Sequence, residues 1–280
     1  MSGKLFIVAT PIGNLSDIST RTKEALDEAD IVMAEDTRVS VKLLNHLHIK
    51  KRLISCHDHN EAQRAVLLKE MAKDNKTIAL LSDAGTPLIS DPGYKIVQEA
   101  IAVGMEVIPL AGPSAFLLAL VGSGLPCERF QFIGFLPDKL SALKKELQNL
   151  CAYPHTLVFY VSPHKLAKTI AIMQETFGDR DACLARELTK IHEEFLRLTL
   201  SHLAKEVEKR DVLGECVLIV KGLEESNSTA PSQTQILKDI KKGLAQGERV
   251  KELSARLGEQ YGLPKSDIYK LALSCLPDGD

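Results

Sequence analysis

The sequence predicts two α/β domains followed by a small helical module, and three features carry that expectation. Short aliphatic runs alternate with longer segments of helical spacing through the first part of the chain. The alternation breaks at Gly122-Ser-Gly-Leu-Pro126 and resumes beyond it. A polar stretch of small residues, Glu224-Glu-Ser-Asn-Ser-Thr-Ala-Pro-Ser-Gln233, reads as a linker ahead of a helical tail. These breaks place an N-terminal α/β domain at 1–120, a second α/β domain at 121–224, and linker plus helical module at 225–280.

In the first domain, aliphatic runs at 5–9, 31–34, 78–81 and 107–110 predict strands. Segments 21–29, 39–46, 61–73 and 93–103 predict helices between them. Alternating strand and helix argues for a parallel sheet covered on both faces. Right-handed crossovers gather the strand C-termini on one edge, where ligands of such sheets bind. Four loops should lie there: Thr10-Pro-Ile-Gly-Asn-Leu, Glu35-Asp-Thr-Arg38, the twelve residues from Ser82 to Gly93, and Ala111-Gly-Pro-Ser-Ala115. In the second domain, strands are expected at 130–135, 156–161, 182–186 and 215–221. Helices are expected at 142–150, 163–176 and 203–209. In the tail, helices at 248–259 and 265–273 flank Gln260-Tyr-Gly-Leu-Pro264, a helix–turn–helix outline.

Composition narrows the function classes. Hydrophobic residues make up 45% of the 280 residues and charged residues 26%, so a sizeable core is possible. Trp is absent and aromatics are 5%, so that core must be mostly aliphatic. A net charge of −2 means that any nucleic-acid contact has to come from a local patch. Between Lys238 and Lys270 there are eight Lys or Arg against five Asp or Glu, so the tail is locally basic. On charge alone it reads as a solvated helical cap. The six cysteines are scattered without a Cys-x-x-Cys, which argues against a zinc site and a disulfide framework and for a reducing compartment. The start of the chain has no signal-peptide pattern, and the longest apolar stretch, 115–121, is too short to span a bilayer. The expectation is a soluble, cytoplasmic protein.

No Gly-x-Gly-x-x-Gly follows a strand and no P-loop is present, so ordinary dinucleotide and P-loop phosphate binding lack support. The loop from Ser82 to Gly93, with two Gly, two Pro and two Asp, describes a tight fixed path at a sheet edge. Its glycines permit close backbone approach to a ligand, and its aspartates can accept hydrogen bonds or balance a cation. Glu35-Asp-Thr-Arg38 fits either a functional loop or an N-cap with an ion pair, through Asp36 or Thr37. His57-Asp-His59-Asn60-Glu61 has metal-ligand residue types without a distant partner, and a helix start capped by Asn60 explains it equally well; no metal is expected. Ser162-Pro-His164-Lys165 opens a helix, with Pro163 at its first position. Arg186, Glu187 and Lys190 could form ion pairs or touch a substrate.

TPIGNLSD, AEDTR, HDHNE, LLSDAGTPLISDPG, PLAGPSA, SGLP, FIGFLP, SPHK, ARELTK and GECVLIVKG occur in order along nearly the whole chain. In this set the chain resembles the small-subunit ribosomal RNA cytidine 2′-O-methyltransferases, a branch of the tetrapyrrole methylase superfamily. The resemblance implies a tetrapyrrole-methylase-like fold, with an N-terminal parallel sheet, a C-terminal mixed sheet and the cofactor in the cleft between them. It implies S-adenosylmethionine as methyl donor and methylation of a cytidine ribose in the decoding region of 16S ribosomal RNA, within the small subunit, by a homodimer. It further implies that Pro11, Gly13, Ser82, Asp83, Ala84 and Gly85 line the cofactor, with Ile89, Ser114 and Ala115 nearby. Tyr160 and Val161 would reach in from the second domain, and the helical tail would help to hold RNA. The chain departs from the family pattern at Ala111, Val161 and Lys165, and at Ser266 and Asp267, where an Arg-Lys pair is common.

For methyl transfer to a hydroxyl, the polar set expected at the cleft edge is Asp36, Arg38, His59, Asn60, Glu187 and Lys190. Arg38 and Lys190 suit phosphate positioning, and Asp36, His59 and Glu187 are candidate proton acceptors. Two other readings compete: a porphyrinoid methyltransferase of the same superfamily, and a non-enzymatic RNA-binding protein that keeps the fold.

Overall fold

A computed structural model describes residues 3–223 and 233–275. The chain divides into two compact units, Met1–Leu223 and Glu224–Asp280. The expected linker, apart from Gln233, lies outside the described residues.

The first sheet of the larger unit contains β1 (Lys4–Val8), β2 (Ile31–Ala34), β3 (Arg52–Ser55), β4 (Thr77–Leu81) and β5 (Glu106–Pro109). Its order is β3-β2-β4-β1-β5 and every pairing is parallel. Side chains alternate along β4. Ile78 and Leu80 join Leu68 of α3 (Glu61–Lys73) and Ile96 of α4 (Tyr94–Ala102) on one face. Ala79 and Leu81 join Leu26 of α1 (Thr20–Glu28) and Leu44 of α2 (Thr37–His46) on the other. Both faces are therefore covered, as continuous aliphatic strands require. The chain leaves β1 toward the α1/α2 face and leaves β4, its neighbour, toward the α3/α4 face. Their loops part at that point and open a crevice, the usual ligand site of such sheets.

The second sheet is mixed: β6 (Phe130–Phe135), β7 (Thr156–Val161), β8 (Asp181–Arg186), β9 (Glu194–Thr199) and β10 (Cys216–Val220). Its order is β6-β7-β10-β8-β9, parallel only between β6 and β7. Phe159, Leu184 and Leu218 face the helices α6 (Leu140–Leu150), α7 (Pro163–Phe177) and α8 (Leu200–Glu208). The opposite face carries Val158, Cys183, Ala185, Val217 and Ile219, and packs on Ile12 and on α5 (Ala115–Ser123). Thus α5 starts from a first-sheet loop and spends its buried side, Ala119 and Leu120, against the second sheet.

Four strands or α-helices, the last of them α5, were absent from the sequence expectation. β3 and β9 are the outer strands of their sheets, and β9 has no fully buried residue, so neither shows clear alternation. The third is α9 (Gln233–Ala245), whose start abuts the polar stretch. Segment 115–121 gave no helix reading because it is apolar on every side.

The smaller unit packs α9 with α10 (Val250–Tyr261) and α11 (Lys265–Ser274) around Ile236, Ile240, Leu253, Leu257, Ile268 and Ala272. Gly262, at φ 62°, ends α10 in the left-handed conformation, and Pro264 precedes α11, so the predicted helix–turn–helix forms. Lys251, Lys265, Tyr269 and Lys270 line a shallow basic depression on this unit.

All six cysteines are free, and no group of His, Cys, Asp or Glu among the described residues could hold a metal ion. No described helix is long and apolar enough to cross a membrane.

Candidate functional site

The four loops at the C-terminal edge of the first sheet are tied to one another. Thr10 and Gly85 exchange backbone hydrogen bonds, Thr10 N to Gly85 O at 2.8 Å and Gly85 N to Thr10 O at 2.9 Å. This staples the loop after β1 to the loop after β4. The Thr10 hydroxyl donates to Ser82 O at 3.2 Å, and the Ser82 hydroxyl to Gly85 O at 3.1 Å. The Asp36 amide donates to Asp83 Oδ1 at 2.9 Å, bringing in the loop after β2. The Thr86 hydroxyl donates to Pro113 O at 3.0 Å, bringing in the loop after β5.

The long loop is held at its far end as well. Gly93, at φ 130°, precedes α4 and has no side chain to cap it. The carboxylate of Glu61 does so instead, accepting from Gly93 N at 2.9 Å and Lys95 N at 2.8 Å. That side chain is buried, and a negative charge at a helix N-terminus is favoured there.

These loops and the second sheet enclose a cavity of about 460 Å³. Asp83, Ala84, Gly85, Ile89, Ser114 and Ala115 line it from the first sheet. Tyr160 and Val161 line it from the second. Eight of the residues expected at a cofactor therefore meet in one place. Pro11 and Ser82 lie instead on a smaller cavity of about 190 Å³, shared with Val39 and Lys42 and separated from the first by Asp83. Gly13 sits under Lys190; a Cβ there would stand 2.4 Å from Lys190 Cγ.

The expected polar set is arranged around this cavity, and none of its six members lines it. Asp36 caps α2, accepting from Arg38 N at 2.8 Å, and grips the exposed Arg38 guanidinium at 2.6 Å. The Arg38 side chain holds the Asp36 carboxyl at about 2, so it stays ionised and is a weak proton acceptor. His59 is exposed, its ring 5.9 Å from that of His57. Asn60 stands at the N-cap of α3, but its side chain does not cap the helix. It turns back to accept from His57 N at 2.9 Å and donate to Ser55 O at 3.2 Å, closing the loop on itself. Glu187, at φ 51°, accepts from Lys190 Nζ at 2.8 Å and Glu215 N at 3.0 Å, and Lys190 also meets Glu215 at 3.0 Å. The Lys190 hydrogen bond lowers the Glu187 pKa.

The sequence reading missed Glu35, Asp91, Phe135 and Glu215, all of which line the cavity. Each lay inside a motif already singled out: AEDTR, SDPG, FIGFLP and GECVLIVKG. What hid them was the absence of any sequence signal for which side chain of a loop turns inward.

The cavity carries four carboxylates, Glu35, Asp83, Asp91 and Glu215, and no Lys, Arg or His among its lining residues. Burial, with the Asp83 charge next, raises the Glu35 pKa. Burial, with the Glu35 charge next, lifts Asp91 to about 7. Burial also raises Tyr160. Such a site is short of positive charge and favours a cation. It has a consequence for the ligand-free protein. Between about pH 4 and 7 the unfolded chain ionises this aspartate while the folded chain keeps its proton. The folded state then binds more protons, so its contribution to stability falls as pH rises through that window and levels off above it. Asp91→Asn should remove this decline: the melting-temperature advantage of the variant over the parent grows from pH 4 to pH 7, as calorimetric scans would record.

Against known proteins, the model for tetrapyrrole (corrin/porphyrin) methylases matches residues 4–204. The chain is 43% identical to a ribosomal RNA small subunit methyltransferase I of Halalkalibacterium halodurans, over 96% of this chain and 94% of that one. It is 41% identical to the protein of the same name from Haemophilus influenzae, over 99% and 98%. Among solved structures, it is similar to diphthine synthase, with a TM-score of 0.60 at 18% identity, over 79% of this chain and 90% of that one. It is also similar to uroporphyrin-III C-methyltransferase of Thermus thermophilus, solved with S-adenosylhomocysteine, with a TM-score of 0.54 at 18% identity, over 78% and 97%. At such identities the structural likeness speaks for the fold alone.

Proposed function

The chain belongs to the tetrapyrrole (corrin/porphyrin) methylase family and, within it, groups with the ribosomal RNA small subunit methyltransferase I proteins, and from that premise we propose that it methylates ribosomal RNA of the small subunit. It is a methyltransferase, and its methyl donor is S-adenosylmethionine. The finer reading is transfer to the 2′-hydroxyl of a cytidine in the decoding region of 16S RNA, by a homodimer acting on the small subunit. It also takes residues 1–120 and 121–224 as separate domains, one sheet each.

The observation that carries the reading is the carboxylate-lined, cation-free cavity at the parting of β1 and β4. Its chemistry fits the donor. S-adenosylmethionine has a sulfonium and an ammonium, and Glu35, Asp83 and Asp91 supply the opposite charge. Its purine needs apolar contact, and the tilted rings of Phe135 and Tyr160, with centroids 5.3 Å apart, offer it. A volume of about 460 Å³ lies in the range of small-molecule sites. The residues that would hold the donor are Asp83, Gly85, Ser114 and Tyr160. Bound there, the donor supplies a methyl group already activated for displacement. The chain's own task is then alignment, and the hydrogen bonds that tie the four loops hold it ready before substrate arrives.

For the acceptor, Arg38 stands exposed beside the cavity loops, where a phosphodiester can reach it. The basic depression of the smaller unit offers Lys251, Lys265 and Lys270 to the RNA backbone, with Tyr269 available to stack. In this account Asp36 orients Arg38, Lys190 is held by two carboxylates, and His59 and Asn60 shape the edge of the site.

The test is transfer of labelled methyl from S-adenosylmethionine to small subunits lacking the modification, with a porphyrinoid acid as the rival acceptor. Label in the RNA, weakened as salt rises, is the expected result. Label in the macrocycle alone would move the protein to the small-molecule branch of its family. No cofactor binding and no transfer to either acceptor would favour an RNA-binding role.

A further inference from the structure

The cavity holds four carboxylates, and three of them meet a backbone N–H or a cation. Asp83 accepts the Asp36 amide at 2.9 Å. Glu35 takes a backbone hydrogen bond from Asp83. Glu215 is paired with Lys190 at 3.0 Å. Asp91 has neither a backbone N–H nor a cation on its carboxylate among the described residues; its one hydrogen bond is with the Ser82 side chain. Outside the cavity, Asp36 is tied to Arg38 and Glu187 to Lys190. Asp91 is the cavity carboxylate that meets neither a backbone N–H nor a cation among the described residues.

Its place is fixed from both sides. Ser90, in the left-handed region at φ 65°, packs so closely on β6 that a Cβ at Gly134 would stand 3.0 Å from its hydroxyl. On the other side, two residues along, Gly93 is held by the buried Glu61 carboxylate at 2.9 Å. A short loop segment pinned at both ends presents Asp91, beside Ser90, to the cavity at a defined point. This is what proton transfer from a positioned acceptor needs.

We propose that Asp91 is the catalytic residue that takes the proton of the acceptor hydroxyl, and that Glu61 is a positioning residue that holds Asp91 in the cavity. The inference rests on the proposed methylation of an RNA hydroxyl and names the proton acceptor for it. As the hydroxyl oxygen forms its bond to the methyl carbon, its O–H bond breaks and the proton passes to Asp91. The carbon–sulfur bond breaks with its electron pair going to sulfur, which leaves as a neutral thioether. Asp91 then releases the proton to water.

The charged and titratable groups facing Asp91 all favour its neutral form: Glu35 from the end of β2, Asp58 from the loop after β3, and Asp83 from the end of β4. Tyr160 of β7 faces it across the cavity. Burial and these charges lift it to about 7. A cation bound beside it reverses that effect, so the residue is ionised once the donor is in place. Donor binding and base activation are then one event.

The experiment compares the full-length parent with Asp91→Asn, Glu61→Gln and Glu61→Ala. Methyl transfer to unmodified small subunits is followed from pH 5.5 to 9 at saturating donor. Donor binding is measured by calorimetry at pH 6.5 in buffers of different ionisation enthalpy. Asp91→Asn should lower kcat by about 10² or more and abolish the fall in rate on the acid side. It should also bind the donor with less proton release than the parent does. Glu61→Gln keeps an oxygen for the two amides and should keep kcat within about threefold, whereas Glu61→Ala should lower it by about tenfold and shift the acid limb. Parent-like kcat, acid limb and proton release in Asp91→Asn overturn the proposal. Equal losses in both Glu61 variants overturn the positioning role. No transfer by the parent overturns this inference together with the RNA reading, whereas transfer by the parent that Asp91→Asn leaves intact overturns this inference alone.

Discussion

Gly85→Val should abolish measurable binding of S-adenosylmethionine in a chain that still folds. Gly85 has φ +84°, a conformation that costs an L-residue about 1–2 kcal/mol and a β-branched one more. The residue cannot rotate out of it without breaking both hydrogen bonds to Thr10, at 2.8 and 2.9 Å. An added Cβ already stands 3.4 Å from Ile12 Cγ2, so the two further methyl groups of valine turn toward Ile12 or into the cavity. We expect the donor dissociation constant to rise by about 10²-fold or more, equivalent to roughly 3 kcal/mol, in a titration calorimeter. The melting temperature should fall by a few degrees. Gly85→Ala carries the backbone strain without the branched methyls and should weaken binding by about tenfold or less. A valine variant that binds like the parent would show that the turn does not touch the donor.

Phe159→Ala should give the largest loss of folding stability, about 3–5 kcal/mol. Phe159 is fully buried at the middle of β7, paired with Leu218 of β10, in the cluster formed with Leu147, Leu166, Ile170 and Leu184. Its removal leaves a cavity that α6 and α7 cannot both close, because each is already packed on the same face. Urea denaturation of the parent and variant measures the loss, and Phe159→Leu should recover most of it. Tyr160, the next residue, points to the opposite side of the strand and lines the donor cavity. A change at Phe159 should therefore reach donor binding only through the position of β7, by about tenfold at most. Comparable losses of stability and affinity would mean that the strand is not the rigid wall described here.

Much of this arrangement was legible before the structure. The aliphatic runs of β1, β2, β4 and β5 marked a sheet covered on both faces, and the Gly- and Pro-containing loops after them marked its functional edge. The Ser82–Gly93 loop stood out because so many residues with special backbone demands rarely fall together without a ligand or a neighbouring chain to meet. The edge strands β3 and β9 were not legible, since a strand with one neighbour and little burial needs no alternation. Nor was the inward turn of Asp91 legible. It depends on the Glu61 carboxylate reaching α4 from α3, a contact between segments 32 residues apart that no local pattern encodes. Glu61 was noted only as the end of HDHNE, where it read as part of a helix start. Of the polar residues expected at the cleft edge, Asp36, Glu187 and Lys190 form ion pairs and do not line the cavity. Residue type was visible in the sequence; which side chains line the cavity is a property of the folded loops.

The measurement that tests the central claim most directly is nucleoside analysis of small-subunit RNA after incubation with the protein and isotopically labelled S-adenosylmethionine. The account predicts label in a single 2′-O-methylated cytidine, absent when Gly85→Val replaces the parent. Label on a base, or on many riboses without preference, would contradict it.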